Sequence, residues 1–306
     1  MNLRHVAVVV TAICAATVLT SSSANSPPTV LASCPQQWGG RHAGGWVPAA
    51  GQIDGVGDYL VPGRPVTAMI CAYPGDNTRK GGERLAGSRT LTGDAGAMAR
   101  DLGYLPVGTE EREVMCTLMG GPMTNYLILF AYPGGGGLWV GSAEEVNGCV
   151  RTTNGTVQSH SYVGRSLTAA YRTGTWRLVH PDDPCQMPGE RRGQDGRMVP
   201  DEPISVLVCR RATRAGERDP RREHDRRTAG PLAETLNALD AGGKEILNEI
   251  SCDPADWFDL LFGYAEGPPV RVSIVVGCDR GIDNGFLNAA LDDALRDQII
   301  RLAPPG

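Results

Sequence analysis

Sulfur is the reactive element that this chain carries in a pattern. Nine cysteines occur, and eight form two matched sets: Cys34, Cys71, Cys116 and Cys149, then Cys185, Cys209, Cys252 and Cys278. An even number, tens of residues apart and without a CxxC pair, argues against a zinc ribbon and for disulfides formed in an oxidising compartment. Other chemistry is hard to assemble. No GxSxG elbow or HExxH helix is present, and His42, His160, His180 and His224 stand singly. A triad of His160, Ser161 and Asp182 can be drawn, but no spacing favours it. The glycine run 134–137 lacks a following Lys-Ser/Thr, so it reads as a hairpin turn and not a phosphate cradle. Asp279, Asp283 and Asn284 lack the spacing and closing Glu of a calcium loop and read as a turn. The pairs Glu144-Glu145 and Asp292-Asp293 read as solvated faces. No catalytic set, metal site or cofactor is expected.

One segment has the composition of a contact surface. Trp38, Arg41, His42 and Trp46 lie among glycines in residues 34–60. Exposed Trp and Arg on a loop held by a rigid scaffold are common binding residues. The competing reading is that both indoles fold back and cap the core beneath them.

These residues are positioned by a scaffold that the sequence states twice. Val61-Pro62 leads into a β-branched run that reaches Cys71; Val199-Pro200 leads into another that reaches Cys209. Each run is followed by a helical stretch, a second Cys (Cys116, Cys252), a Leu-Phe-x-Tyr strand (129–132, 261–264), Gly-Cys (148–149, 277–278) and Asn-Gly (154–155, 284–285). Four cysteines allow three pairings per copy. Antiparallel hairpin geometry favours Cys116–Cys149 and Cys252–Cys278, which leaves Cys34–Cys71 and Cys185–Cys209. Ala95, Met98, Ala99, Leu102 and Leu105 keep helical spacing until Gly103 and Pro106. Residues 74–92 read as a loop. So does the segment 210–227, with eight arginines and four acids. Leu167, Ala170 and Tyr171 suggest a short helix, residues 176–179 a short strand. Leu287, Leu291, Leu295 and Ile299 predict one amphipathic helix over 286–302. The expectation is an α+β fold of two tandem homologous domains, residues 34–180 and 181–306. Each is an antiparallel sheet with helices on one face, of order β-α-β-β-α.

Residues 1–24 join a basic start (Arg4, His5) to an apolar run over 6–19 and small residues at 22–24, the pattern of a signal peptide. Residues 25–33 are a Ser/Pro tether. Residues 31–34 also match a lipobox, by which Cys34 would carry a lipid. The apolar run ends well before it, and Cys185, its counterpart, cannot be lipidated, so a disulfide is preferred. The whole chain has 306 residues, 29 basic and 34 acidic. Such a balance disfavours a nucleic-acid partner. No later stretch is long and apolar enough to span a membrane. The expected location is secreted or cell-surface, and the expected partner an extracellular protein or cell-envelope ligand.

The repeated pattern resembles secreted actinobacterial proteins that carry no assigned activity. The first copy is also similar to the Streptomyces subtilisin inhibitors. These place a Cys in an early strand and Met-Cys before the reactive-site loop, with a hairpin ending at another Cys. Met115-Cys116-Thr117-Leu118-Met119 occupies that place here. The resemblance implies that Leu118 is offered to the protease, with Met119 after it. The chain departs from that family in having no Cys within 93–105 and in carrying Cys34; Cys252-Asp253-Pro254-Ala255 in the second copy matches poorly. The leading expectation is a non-catalytic binding protein. The alternative is a serine-protease inhibitor using the loop after Cys116, and behind both stands a secreted hydrolase built on His160 or His180.

Overall fold

The computed structural model describes residues 33–79, 81–108, 117, 119–212, 217–243 and 256–305. The expected signal peptide, tether residues 25–32, Cys116, Leu118 and Cys252 lie outside the described residues. Among the described residues two antiparallel sheets, each with two helices, make an α+β fold.

The first sheet contains β1 (Thr67–Asp76), β2 (Gly87–Leu91), β3 (Pro122–Ala131), β4 (Gly137–Glu145), β5 (Thr152–Thr153) and β6 (Gln158–Ser159), in spatial order β2-β1-β3-β4-β5-β6. The helices α1 (Ala95–Gly103) and α2 (Gly164–Thr173) cover one face. Strand alternation decides which side chains meet them. Ala68, Ile70 and Ala72 of β1 join Ile128 and Phe130 of β3 beneath Met98, Leu102 and Leu167. Cys71 and Tyr73, one residue out of phase, point to the other face with Leu127, Leu129 and Trp139.

The second sheet contains β7 (Ser205–Arg210), β8 (Arg221–Asp225), β9 (Gly242–Gly243), β10 (Asp256–Gly263), β11 (Val270–Val276), β12 (Ile282–Asp283) and β13 (Leu287–Ala289). Its order, β8-β7-β10-β11-β12-β13-β9, repeats the first sheet strand for strand and adds β9 at the far edge. Its helices are α3 (Arg226–Asn237) and α4 (Asp293–Leu302), whose Leu232, Leu236, Leu295 and Ile299 bury against Val206, Val208, Phe258 and Leu260.

The repeated sequence words are parts of one repeated device. The Tyr132 hydroxyl donates to the Pro62 carbonyl at 2.7 Å, and the Tyr264 hydroxyl to the Pro200 carbonyl at 2.7 Å. Val-Pro and Leu-Phe-x-Tyr are thus the two ends of one bond. Each Asn-Gly also does the same work. Asn154 Nδ2 donates to the carbonyls of Val56, Tyr59 and Leu60, while its Oδ1 accepts from the backbone of Thr156 and Val157. Asn284 does this with Gln194, Arg197, Met198, Phe286 and Leu287. Both side chains are buried and satisfied. Asn284 therefore serves a turn and presents no free ligand atom to a cation.

Five expectations change. The order β-α-β-β-α omits the edge strands β2 and β8 and the short pairs β5-β6 and β12-β13. Residues 74–92 end in β2, and the arginine-rich segment supplies β8 and the start of α3. Residues 176–179 form no strand; Trp176 is instead held by Asp94 through its N–H and by Asp101 through its indole. The four-residue spacing from Leu287 is split. Asn284 folds 287–289 back as β13, and α4 starts only after Asp292, whose carboxylate caps the Leu295 N–H at 2.7 Å.

Two disulfides join each N-terminal loop to its first strand, Cys34–Cys71 and Cys185–Cys209. Each is worth about 2–4 kcal/mol against the unfolded chain. Cys149 and Cys278 are also disulfide-bonded.

Candidate functional site

An exposed loop at one end of the first sheet is fixed by side chains from two neighbouring turns. β1 ends at Asp76, whose carboxylate accepts from the Thr78 N–H and hydroxyl and closes a turn that projects Asn77. β4 ends at Glu145, and the chain turns through Asn147 and Gly148 towards Cys149. Between these turns residues 119–121 run into β3.

The polar contacts converge on Met119. Its N–H donates to Asn147 Oδ1 at 3.0 Å, and its carbonyl accepts from Asn147 Nδ2 and Asn77 Nδ2, both at 3.0 Å. The Thr117 hydroxyl donates to Asn147 Oδ1 at 2.7 Å, and the Gly121 N–H to Asn77 Oδ1 at 2.9 Å. Glu145 organises the two amides. Its Oε2 accepts from Asn77 Nδ2, Asn147 Nδ2 and the Asn147 N–H, and its Oε1 from the Cys149 N–H. Partial burial pushes the Glu145 pKa up, but these hydrogen bonds outweigh it and hold the carboxyl below its ordinary range. Glu145 is therefore an ionised hub and not the solvated residue expected, and Glu144 accepts from the Thr168 hydroxyl. The backbone is held while the Met119 side chain is 52% exposed, beside Val146 at 43%.

Among the described residues such a site has no nucleophile poised against a base, and no group of His, Cys, Asp and Glu is arranged to hold a metal. Its capacity is to present a preformed backbone segment, the property that lowers the ordering cost of binding.

The other candidates lie elsewhere. Trp38 is 2% exposed and packs edge to face on Trp46, with ring centroids 5.2 Å apart, and against Tyr73. Tyr73 donates its hydroxyl to the Pro35 carbonyl, and burial pushes its pKa up to about 12. The indoles thus cap the outer face of the first sheet, the competing reading of that loop; Arg41 and His42 remain exposed. His160, Ser161 and His180 line one cleft of about 250 Å³. Asp182, exposed, is not among its walls. The carboxylate there is Glu190, to which Ser161 Oγ donates at 2.6 Å. A serine proton given directly to a carboxylate is not the serine–imidazole pair that makes a nucleophile. No family model matches this chain, and no curated protein or solved structure is significantly similar to it.

Sequence reading missed Asn77, Asn147 and Glu145 as a group. The only signal was local: Asn147-Gly148-Cys149 sets an amide two residues before a cysteine of the framework.

Proposed function

We propose that this is an exported, non-catalytic protein-binding molecule of two duplicated domains, and that the loop after Cys116 acts as a serine-protease inhibitor. The supporting observation is the capture of both backbone groups of Met119 by Asn147, with the side chain left in solvent. A protease binds such a segment in its cleft. If the bond before Met119 is cut, the clamped new terminus stays near its partner, so resealing competes with release. Leu118 is the residue offered to the apolar specificity pocket. The disulfide at Cys149 ties the other side of the turn. Export follows from the signal-like start and the disulfides; among the described residues no helix is long and apolar enough to cross a membrane.

The test is titration of subtilisin with the protein while a chromogenic peptide is hydrolysed. Stoichiometric inhibition is expected. Asn147→Ala should convert the inhibitor into a substrate cut within the loop, weakening inhibition by about a hundredfold, equivalent to ~2.7 kcal/mol for the two lost bonds to the Met119 backbone. Unimpeded hydrolysis at excess protein, with the loop intact or cut, removes the proposal.

A further inference from the structure

The two halves meet around arginines, not all of which have a counter-charge among the described residues. Arg191 is buried with its guanidinium between two rings, Tyr104 of the first half at 3.9 Å and Tyr264 of the second at 4.0 Å. It is neutralised by Asp201 at 2.9 Å and also donates to the Glu266 and Pro268 carbonyls. Asp201 holds φ 57°, the left-handed backbone that Gly63 adopts after the equivalent Val-Pro of the first half. One oxygen of its carboxylate, Oδ2, is taken by Arg191.

Arg192, the next residue, turns the other way. Its guanidinium lies over Tyr59 at 3.8 Å and gives one N–H to the Asp58 carbonyl at 2.8 Å. It is half-buried and has no carboxylate within ion-pair distance among the described residues. It opens on a cleft of about 580 Å³ whose walls also carry Arg100 and Arg197, while Asp201 is the sole acid there among the described residues. Among the described residues Arg197 has no ion-pair partner, and Arg100 has a long contact with Glu266 at 3.4 Å. Pro62, Ala99 and Pro200 add apolar wall. A stacked guanidinium with most of its five donors unspent is oriented to take an oxyanion in forked geometry. The volume exceeds that of a bare inorganic anion and suits a small organic molecule.

We infer that this interdomain cleft binds a small organic anion, a flat apolar body bearing a carboxylate or phosphate, with Arg192 receiving the charge and Arg197 flanking it. The site is remote in sequence from the Met119 loop, and its test involves no protease.

Titrate the isotope-labelled protein by NMR with benzoate, phenyl phosphate and neutral benzamide. Saturable shifts confined to the cleft residues are expected with the anions, weakening as salt is added, and none with benzamide. The tighter of the two anions distinguishes carboxylate from phosphate. Arg192→Gln should weaken binding by about tenfold or more. Arg197→Gln, which removes an exposed side chain with no partner to strand, should weaken it less without altering the fold. Equal binding of benzamide, no saturable shift with either anion, or unchanged affinity in both variants would overturn the site.

Discussion

The helix-free faces of the two sheets solve one problem in opposite ways. In the first, Cys71 pairs across to Leu127 and Leu127 to Gly141; in the second, Cys209 pairs to Asp259 and Asp259 to Ser273. The matching position to Trp139 is Arg271. The first face is apolar, and the Trp38 and Trp46 segment is laid over it. Gly141 makes that possible, because a Cβ there would collide with the carbonyls of Trp46 and Gly44. Gly44 is tied down by its N–H to Asn125 Oδ1 at 2.9 Å. On the second face the covering loop is short, and the centre is ionic. Arg271 forks onto buried Asp259 at 2.9 and 2.6 Å, and Ser273 donates to the same carboxylate at 2.7 Å. A long lid permits a dry face; without it, a satisfied charge pair fills the space. The tryptophans of the long loop are thus explained by packing.

The largest effect should come from the dry face. Trp139→Ala empties a fully buried site and should cost about 3–5 kcal/mol in urea unfolding. A loss well below that would mean that the lid collapses inward and is not a rigid cap.

Next comes the ionic face. Asp259→Ala strands the Arg271 charge and should cost about 3 kcal/mol, whereas Asp259→Leu with Arg271→Leu should lie within about 1 kcal/mol of the parent. If the double variant is as damaged as the single one, the pair does more than substitute for a lid.

The smallest difference concerns the bridges. Cys34–Cys71 spans 37 residues and Cys185–Cys209 spans 24. Loop entropy predicts that replacing the first pair by alanine costs only about 0.4 kcal/mol more than replacing the second. A larger gap would assign the excess to native packing around Cys71 under the lid.

The parts of this fold that sequence discloses are those fixed by local or repeated chemistry. Val-Pro, Leu-Phe-x-Tyr and Asn-Gly were legible because each repeats with its bonding partner. The helices α1 and α2 were legible because their buried residues keep one face. The edge strands were not: Gly87–Leu91 and Arg221–Asp225 are mostly exposed, so no apolar alternation marks them. α4 was misplaced because Leu287 happens to continue its spacing while serving a strand. The Met119 clamp was hidden for another reason. Asn77, Glu145 and Asn147 act through backbone atoms of a segment far along the chain, and such bonds leave no periodicity.

The buried amides of Asn154 and Asn284 have a chemical consequence. An asparagine followed by glycine is the sequence that most readily cyclises to a succinimide and loses ammonia, because no side chain hinders attack by the next nitrogen. Here each amide is gripped by three carbonyls and two N–H groups, so the native molecule is shielded from that ageing while the unfolded chain is not. A carboxylate formed there would face three carbonyl oxygens and oppose refolding. Time spent denatured is therefore written into the covalent structure at these two buried sites, as a clock that runs there only when the fold is lost.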